Sequence, residues 1–198
     1  MYIIYLILAF LPLTLLFPTI VVGRKNLKKG KCIITANHRS NMDAIIVYHK
    51  FGRKLHFLAK KELFENKALG SFLRSMGCVS IDRQGTDIKA MKTTLELLKN
   101  NKTVAIFPQG TRAHTEDFDI KNGVCMFAIK SKAPIVPIYI KKKPRLFCIN
   151  KIYIGEPFEL SEFYDKKLTK EVLDEAGEVV TKKYNELKDE YTKKKDKK

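Results

Sequence analysis

Apolar residues fill positions 2–22 almost without a break (YIIYLILAFLPLTLLFPTIVV), and the first charged side chain is Arg24. A helix of about 17 residues ahead of Pro18 would rise roughly 26 Å, against about 30 Å of bilayer hydrocarbon. Pro12 would kink it. No polar face interrupts the run, so residues 1–22 are predicted to be an apolar N-terminal membrane anchor, a membrane-anchoring helix ahead of Pro18 that either spans the bilayer or lies bent in it. A buried core helix is the alternative. The run lacks the basic start and small-residue cleavage site of a signal peptide. Arg24, Lys25, Lys28, Lys29 and Lys31 follow directly, which places the body of the chain on the cytoplasmic side.

Beyond Lys31 the pattern alternates between short apolar runs and amphipathic stretches. Strands are predicted at 31–36, 55–59, 78–81, 103–107, 134–140 and 146–154. Helices are predicted at 40–50, 69–76, 86–99 and 124–130, with Ile88, Met91, Leu95 and Leu98 on one face of the third. A long polar helix is predicted over about 168–191; it either packs on the body, binds a membrane surface or does neither. This alternation predicts an α/β fold: a single domain over residues 23–160 with a mixed, mainly parallel sheet covered by helices. Residues 161–198 then form a mixed-charge C-terminal helix with a frayed Lys-rich end.

Charge sharpens this division. The 198 residues carry a net charge of +17, yet residues 161–198 hold 11 basic and 10 acidic side chains. The excess therefore sits on the body, which suits phosphates, an anionic leaflet, nucleic acid or an acidic carrier protein as partners. The cysteines, Cys32, Cys78, Cys125 and Cys148, form no C-x-x-C pair and no zinc spacing. Their apolar surroundings suit buried reduced thiols in a cytoplasmic compartment.

The candidate chemistry begins at Asn37-His38-Arg39-Ser40-Asn41-Met42-Asp43. Histidine has the pKa for proton transfer near neutral pH, and a carboxylate beside it fixes its tautomer. On a continuous helix, residues five apart diverge by about 140°. The pair can meet only if His38 sits in the turn before the helix. Ser40-x-x-Asp43 reads as a capping box that starts the helix there. Taken alone, this stretch reads more readily as a capped turn than as a catalytic pair. Ser40 has no nucleophile-elbow context.

Phe107-Pro108-Gln109-Gly110-Thr111-Arg112 follows a buried-type strand, at the kind of strand end where open α/β sheets bind ligands. Gly110 permits close backbone approach, and Arg112 carries a planar fork suited to phosphate. Lys60 and Arg83 end two further predicted strands. Three cations converging beside a histidine describe a site for a phosphorylated substrate; independent surface charges are the alternative.

In order, Asn37-His38-x4-Asp43, Lys60-x-Glu62-Leu63, Gly77-x5-Arg83, Phe107-Pro108-x-Gly110-Thr111-Arg112 and Ile135-Val136-Pro137 resemble the motif set of the glycerophospholipid acyltransferase family, over roughly residues 20–155. Its best-known members are 1-acylglycerol-3-phosphate (lysophosphatidic acid) acyltransferases. The resemblance implies that His38 is the general base and Asp43 orients it. It implies that Lys60, Arg83 and Arg112 hold the acceptor phosphate, and that Asn37, Gln109, Gly110 and Thr111 shape the pocket turn. Pro137 matches the last block, near the acyl-donor side. Gln109 stands where family members usually carry Glu, which keeps the hydrogen-bonding reach and loses the charge. Ala113 replaces a common Ser.

The implied reaction moves an acyl group from acyl-CoA or acyl carrier protein to the 2-hydroxyl of lysophosphatidic acid, forming phosphatidic acid at a membrane. It needs no bound cofactor, metal or acyl-enzyme. The nearer alternative is the same chemistry on glycerol-3-phosphate or another lysophospholipid. The more distant one is a non-catalytic basic protein binding membranes or nucleic acid. No nucleic-acid motif appears and Trp is absent, so nucleic acid is not expected as a partner.

Overall fold

The computed structural model describes residues 12–27, 29–82, 87–108 and 122–193. Among the described residues, seven strands form one sheet: β1 (Thr19–Val22), β2 (Cys32–Ala36), β3 (Leu55–Lys60), β4 (Val79–Ile81), β5 (Thr103–Ile106), β6 (Ile135–Ile140) and β7 (Asn150–Ile154). Their spatial order is β1-β7-β6-β2-β5-β3-β4. Every pairing is parallel except β6 with β7. The centre is β2, whose five residues are all buried and pair with β5 on one side and β6 on the other. Parallel strands buried on both faces read as continuous apolar runs, and Cys32–Ala36 and Ile135–Ile140 do so.

Helices fill the crossovers: α1 (Met42–Phe51), α2 (Lys67–Ser75), α3 (Ile88–Lys99) and α4 (Asn122–Ser131), with α5 (Lys170–Lys193) at the end. One core packs Ile46, Val47, Tyr48 and Phe51 of α1 against Ile34, Ala105 and Ile138 of the sheet. The opposite core joins α3, α4 and α5 to Ile33, Val104 and Ile135. Tight punctuation sets these elements. Gly52 ends α1 at φ 65°. Gly77, at φ 82°, turns the chain from α2 into β4, where a Cβ would lie 2.8 Å from the His56 ring.

Three expectations change. Thr19–Val22 is an edge strand paired with β7, so the last four residues of the predicted 1–22 anchor segment belong to the sheet. Residues 12–16 are helical, and no helix among the described residues is long and apolar enough to cross a membrane. The predicted strand 146–154 begins only at Asn150. Leu146, Phe147 and Ile149 are exposed in the turn before it, where Phe147 takes φ 55° and leaves extended geometry. Cys148 is exposed and Cys78 only half-buried, against the expectation of four buried thiols.

The C-terminal helix packs on the body. Ala176, Val180, Tyr184 and Leu187 recur at helical spacing and are buried in the second core. Tyr184 is 2% exposed, with its ring edge-on to Tyr139 at 6.0 Å. Tyr184→Ala is therefore expected to cost about 3 kcal/mol of stability; equilibrium urea unfolding measures it, and a change below about 1 kcal/mol would mean that α5 is not docked in solution.

Two histidines support the fold in their neutral form. His49 on α1 is buried and lies 2.8 Å from Thr14 Oγ1 through its Nε2. His56 Nδ1 donates to Gly77 O at 2.8 Å. Burial pushes both imidazoles below the ordinary value of 6.5; Lys50 adds to this at His49, and the Gly77 carbonyl partly offsets it at His56. The unfolded chain therefore takes up these protons first. The stabilisation is complete above about pH 6.5 and falls as the pH drops toward the lowered folded values. A His49→Gln/His56→Gln variant is expected to lose less stability than the parent between pH 7 and pH 5, as read from paired denaturation curves.

Candidate active site

The parallel pairing of β3, β5, β2 and β6 points their carboxyl ends to one edge, where ligands of such sheets bind. Asn37 follows β2 directly. Its Nδ2 donates to Ile140 O at 2.9 Å, and Ile140 N donates to its Oδ1 at 2.7 Å. The side chain thus extends the β2–β6 ladder by one rung. Its amide is engaged with the backbone of the neighbouring strand.

His38 comes next, in the turn before α1, as its meeting with Asp43 requires. Asp43 is fully buried in the first turn of the helix. Its Oδ2 accepts from Arg39 N at 2.5 Å and Ser40 N at 2.6 Å, and lies 3.1 Å from His38 Nδ1. The bond from Ser40 N to Asp43 resembles the reaching-back half of a capping box, but the expected N-cap shifts by one residue: the helix is preceded by Asn41, which makes no side-chain cap bond. Ser40 Oγ accepts from Met42 N at 3.3 Å. The carboxylate therefore builds the turn and grips the imidazole with the same oxygen. With two N–H groups held on Oδ2, an Nδ1–H···Oδ2 bond fixes the tautomer that leaves Nε2 as the proton acceptor. Among the described residues, Asp43 Oδ1 is buried with no hydrogen-bond partner.

Phe107 completes the turn's support. It follows β5, the neighbour of β2, and stacks on the His38 ring with centroids 4.3 Å apart and planes 26° apart. Phe57 of β3 stacks behind it at 5.8 Å. The sequence reading assigned no role to these rings. For Phe107 the available signal was its position, directly after the strand that neighbours β2; Phe57 lies mid-strand in β3 and carried no such signal.

The expected phosphate cations are reached only in part. Lys60 closes β3 on this edge, two strands from β2, and its Nζ lies 2.9 Å from Glu62 Oε1. The hydrogen bond from Lys60 holds the Glu62 carboxyl below its ordinary value. Lys61 is bonded to Asp82, which follows β4. Arg83, Gln109, Gly110, Thr111 and Arg112 lie outside the described residues. Pro137 is buried within β6. Among the described residues no group of three or more His, Cys, Asp or Glu can hold a metal ion.

The family model described as Acyltransferase matches residues 19–141, from β1 to the residue after β6. The chain belongs to the acyltransferase family. It is 38% identical over 119 residues to the 1-acyl-sn-glycerol-3-phosphate acyltransferase of Bacillus subtilis, covering 56% of this chain and 57% of that protein. It is 31% identical over 167 residues to the protein of the same name from Streptococcus pneumoniae, covering 80% and 61%. The chain thus spans only about half to three-fifths of the length of these relatives. The crystal structure of the 1-acyl-sn-glycerophosphate (LPA) acyltransferase from Thermotoga maritima superposes with a TM-score of 0.63 at 28% identity, covering 86% of this chain and 72% of that one. The α/β fold with its mainly parallel sheet is thereby an acyltransferase-family fold.

Because Asp43 Oδ2 serves two backbone N–H groups as well as the ring, its removal must reach beyond the imidazole. Asp43→Ala is expected to destabilise the protein by about 2 kcal/mol, through unsatisfied buried donors. Urea unfolding at pH 7 checks this; an unchanged midpoint would show that the turn does not depend on the carboxylate.

Proposed function

We propose that this acyltransferase-family chain moves a fatty acyl group from a thioester to the 2-hydroxyl of 1-acyl-glycerol-3-phosphate. The observation that carries the reading is the His38–Asp43 contact, at 3.1 Å, on the carboxyl edge of the sheet. The names of the relatives support the choice of acceptor.

His38 Nε2 takes the proton of the acceptor hydroxyl as its oxygen attacks the thioester carbonyl carbon. The carbon–sulfur bond then breaks, and the leaving thiolate takes the proton back from the imidazolium. Asp43 holds the ring by Nδ1 and stabilises its positive charge. The stacked Phe107 ring limits rotation of the imidazole. Lys60, Arg83 and Arg112 bind the phosphate, and Gln109, Gly110 and Thr111 contribute to the acceptor pocket. The donor is acyl-CoA or acyl carrier protein; the basic body suits the phosphates of the one and the acidic surface of the other. The apolar residues before Thr19 hold the chain at the membrane, with the Arg24–Lys31 charges on the cytoplasmic side.

The purified chain, incubated with labelled acyl-CoA or acyl carrier protein and with lysophosphatidic acid, glycerol-3-phosphate or other lysophospholipids, is expected to form phosphatidic acid from lysophosphatidic acid in preference to the other products. His38→Ala is expected to lower kcat by about 10²–10⁴-fold. No transfer with any donor would end the reading, and an unimpaired His38→Ala variant would end the mechanism.

A further inference from the structure

The loop 141–149 leaves the sheet at Ile140, the residue that Asn37 bonds, and so emerges beside the His38 turn. It carries the most exposed large apolar side chain among the described residues. Phe147 is 75% exposed, Ile149 68% and Leu146 54%. A surface gains nothing by holding three large apolar groups in water within four residues. The backbone nevertheless fixes them there. Phe147 sits at φ 55°, a conformation sparsely used by bulky residues. Its N–H donates to Leu16 O at 2.8 Å, and Asn150 N donates to Pro18 O at 2.8 Å. The Asn150 side chain ties the loop further, accepting from Arg145 N and donating to Cys148 O.

These bonds stitch the loop to the segment that bears exposed Leu15 and Ile20 and that follows the apolar run 2–11. Around the apolar tip the charge has one sign. Residues 141–155 contain Lys141, Lys142, Lys143, Arg145 and Lys151 and no acidic residue. An apolar tip ringed by Lys and Arg matches a bilayer with anionic headgroups: the tip enters the acyl boundary and the cations meet the phosphates. A protein partner would have to supply both an apolar pocket and an acidic rim.

We propose that Leu146, Phe147 and Ile149, with their basic flank, are a second membrane-docking element that inserts into an anionic leaflet and holds the His38 edge of the sheet against it. The purpose of this contact rests on the acyl-transfer reading, but its detection needs no catalysis.

Cys148 lies between Phe147 and Ile149 and is exposed, whereas Cys32 and Cys125 are buried. Burial pushes the Cys78 thiol up, which suppresses its thiolate. Cys148 of the full chain can therefore carry an environment-sensitive fluorophore. With vesicles containing phosphatidylglycerol and phosphatidylcholine, the expected result is a blue shift. Pure phosphatidylcholine vesicles should need at least tenfold more lipid for the same shift, and added salt should weaken it. Phe147→Ser/Ile149→Ser should reduce vesicle partitioning at least tenfold while leaving the thermal midpoint unchanged. Protein that sediments with vesicles without a blue shift would overturn the proposal, because the membrane contact would then lie elsewhere. Unchanged partitioning of the double variant would overturn it as well. So would a concentration-dependent blue shift without vesicles, which would assign the patch to a second copy of the chain. A His38→Ala chain should give the parent's blue shift, so a failed acyl-transfer assay and a failed docking test remain separate results.

Discussion

The parallel pairing of β2 with both β5 and β6 is the constraint from which the rest of the molecule follows. Parallel neighbours cannot be joined by a hairpin, so each must be reached by a crossover that lies on a face of the sheet. With the faces occupied by helices, the central strands lose contact with water and their sequences become uniformly apolar. The polar chemistry is then displaced to the strand ends. Asn37, His38, Phe107 and Lys60 all sit at or just past such ends, because the interior of β2, β5 and β3 has no room for them.

At that edge, two side chains act as backbone. The Asn37 amide supplies both a donor and an acceptor to Ile140, as a further strand residue would. The Asp43 carboxylate collects the N–H groups of Arg39 and Ser40, which no strand or helix can satisfy in a turn. Between these two fixed points lies His38, held at Nδ1 by the carboxylate and at its face by Phe107. The rigidity of the imidazole is therefore a consequence of how the turn meets its hydrogen-bonding needs, not an addition to it.

Much of this was legible in the sequence, for physical reasons that differ by element. The central strands stood out because burial on both faces leaves a continuous apolar signature. The His38–Asp43 meeting was legible because five-residue spacing excludes a shared helix and the Ser40-Asn41 pair signals a helix start just after the histidine. β1 was not legible: Thr19–Val22 is chemically continuous with the apolar run before it, and only its pairing with β7, distant in sequence, makes it a strand. The tip at 146–149 has strand-like composition, but the bond from Phe147 to Leu16 and the left-handed Phe147 backbone remove it from the ladder. The docking of α5 was visible in principle, since Ala176, Val180, Tyr184 and Leu187 keep one face. The density of surrounding charge masked that stripe.

The distribution of charge follows from the same division between faces and edge. The near-balanced tail can lie against a basic body without strong repulsion, and its adhesion comes from apolar contacts in the second core. Its exposed ion pairs, such as Lys183–Glu186 at 3.2 Å, contribute little in water. The unneutralised cations therefore remain on the body, and Lys141–Arg145 concentrates several of them just past β6. A basic edge attracts anions whatever the detailed site geometry, but attraction alone does not orient a reaction. Orientation comes from the local scaffolding: the buried Asp43 carboxylate, the Asn37–Ile140 rungs and the Phe107 stack. The chain thus separates long-range capture, done by exposed cations, from positioning, done by short-range contacts of buried and half-buried groups that salt screens far less.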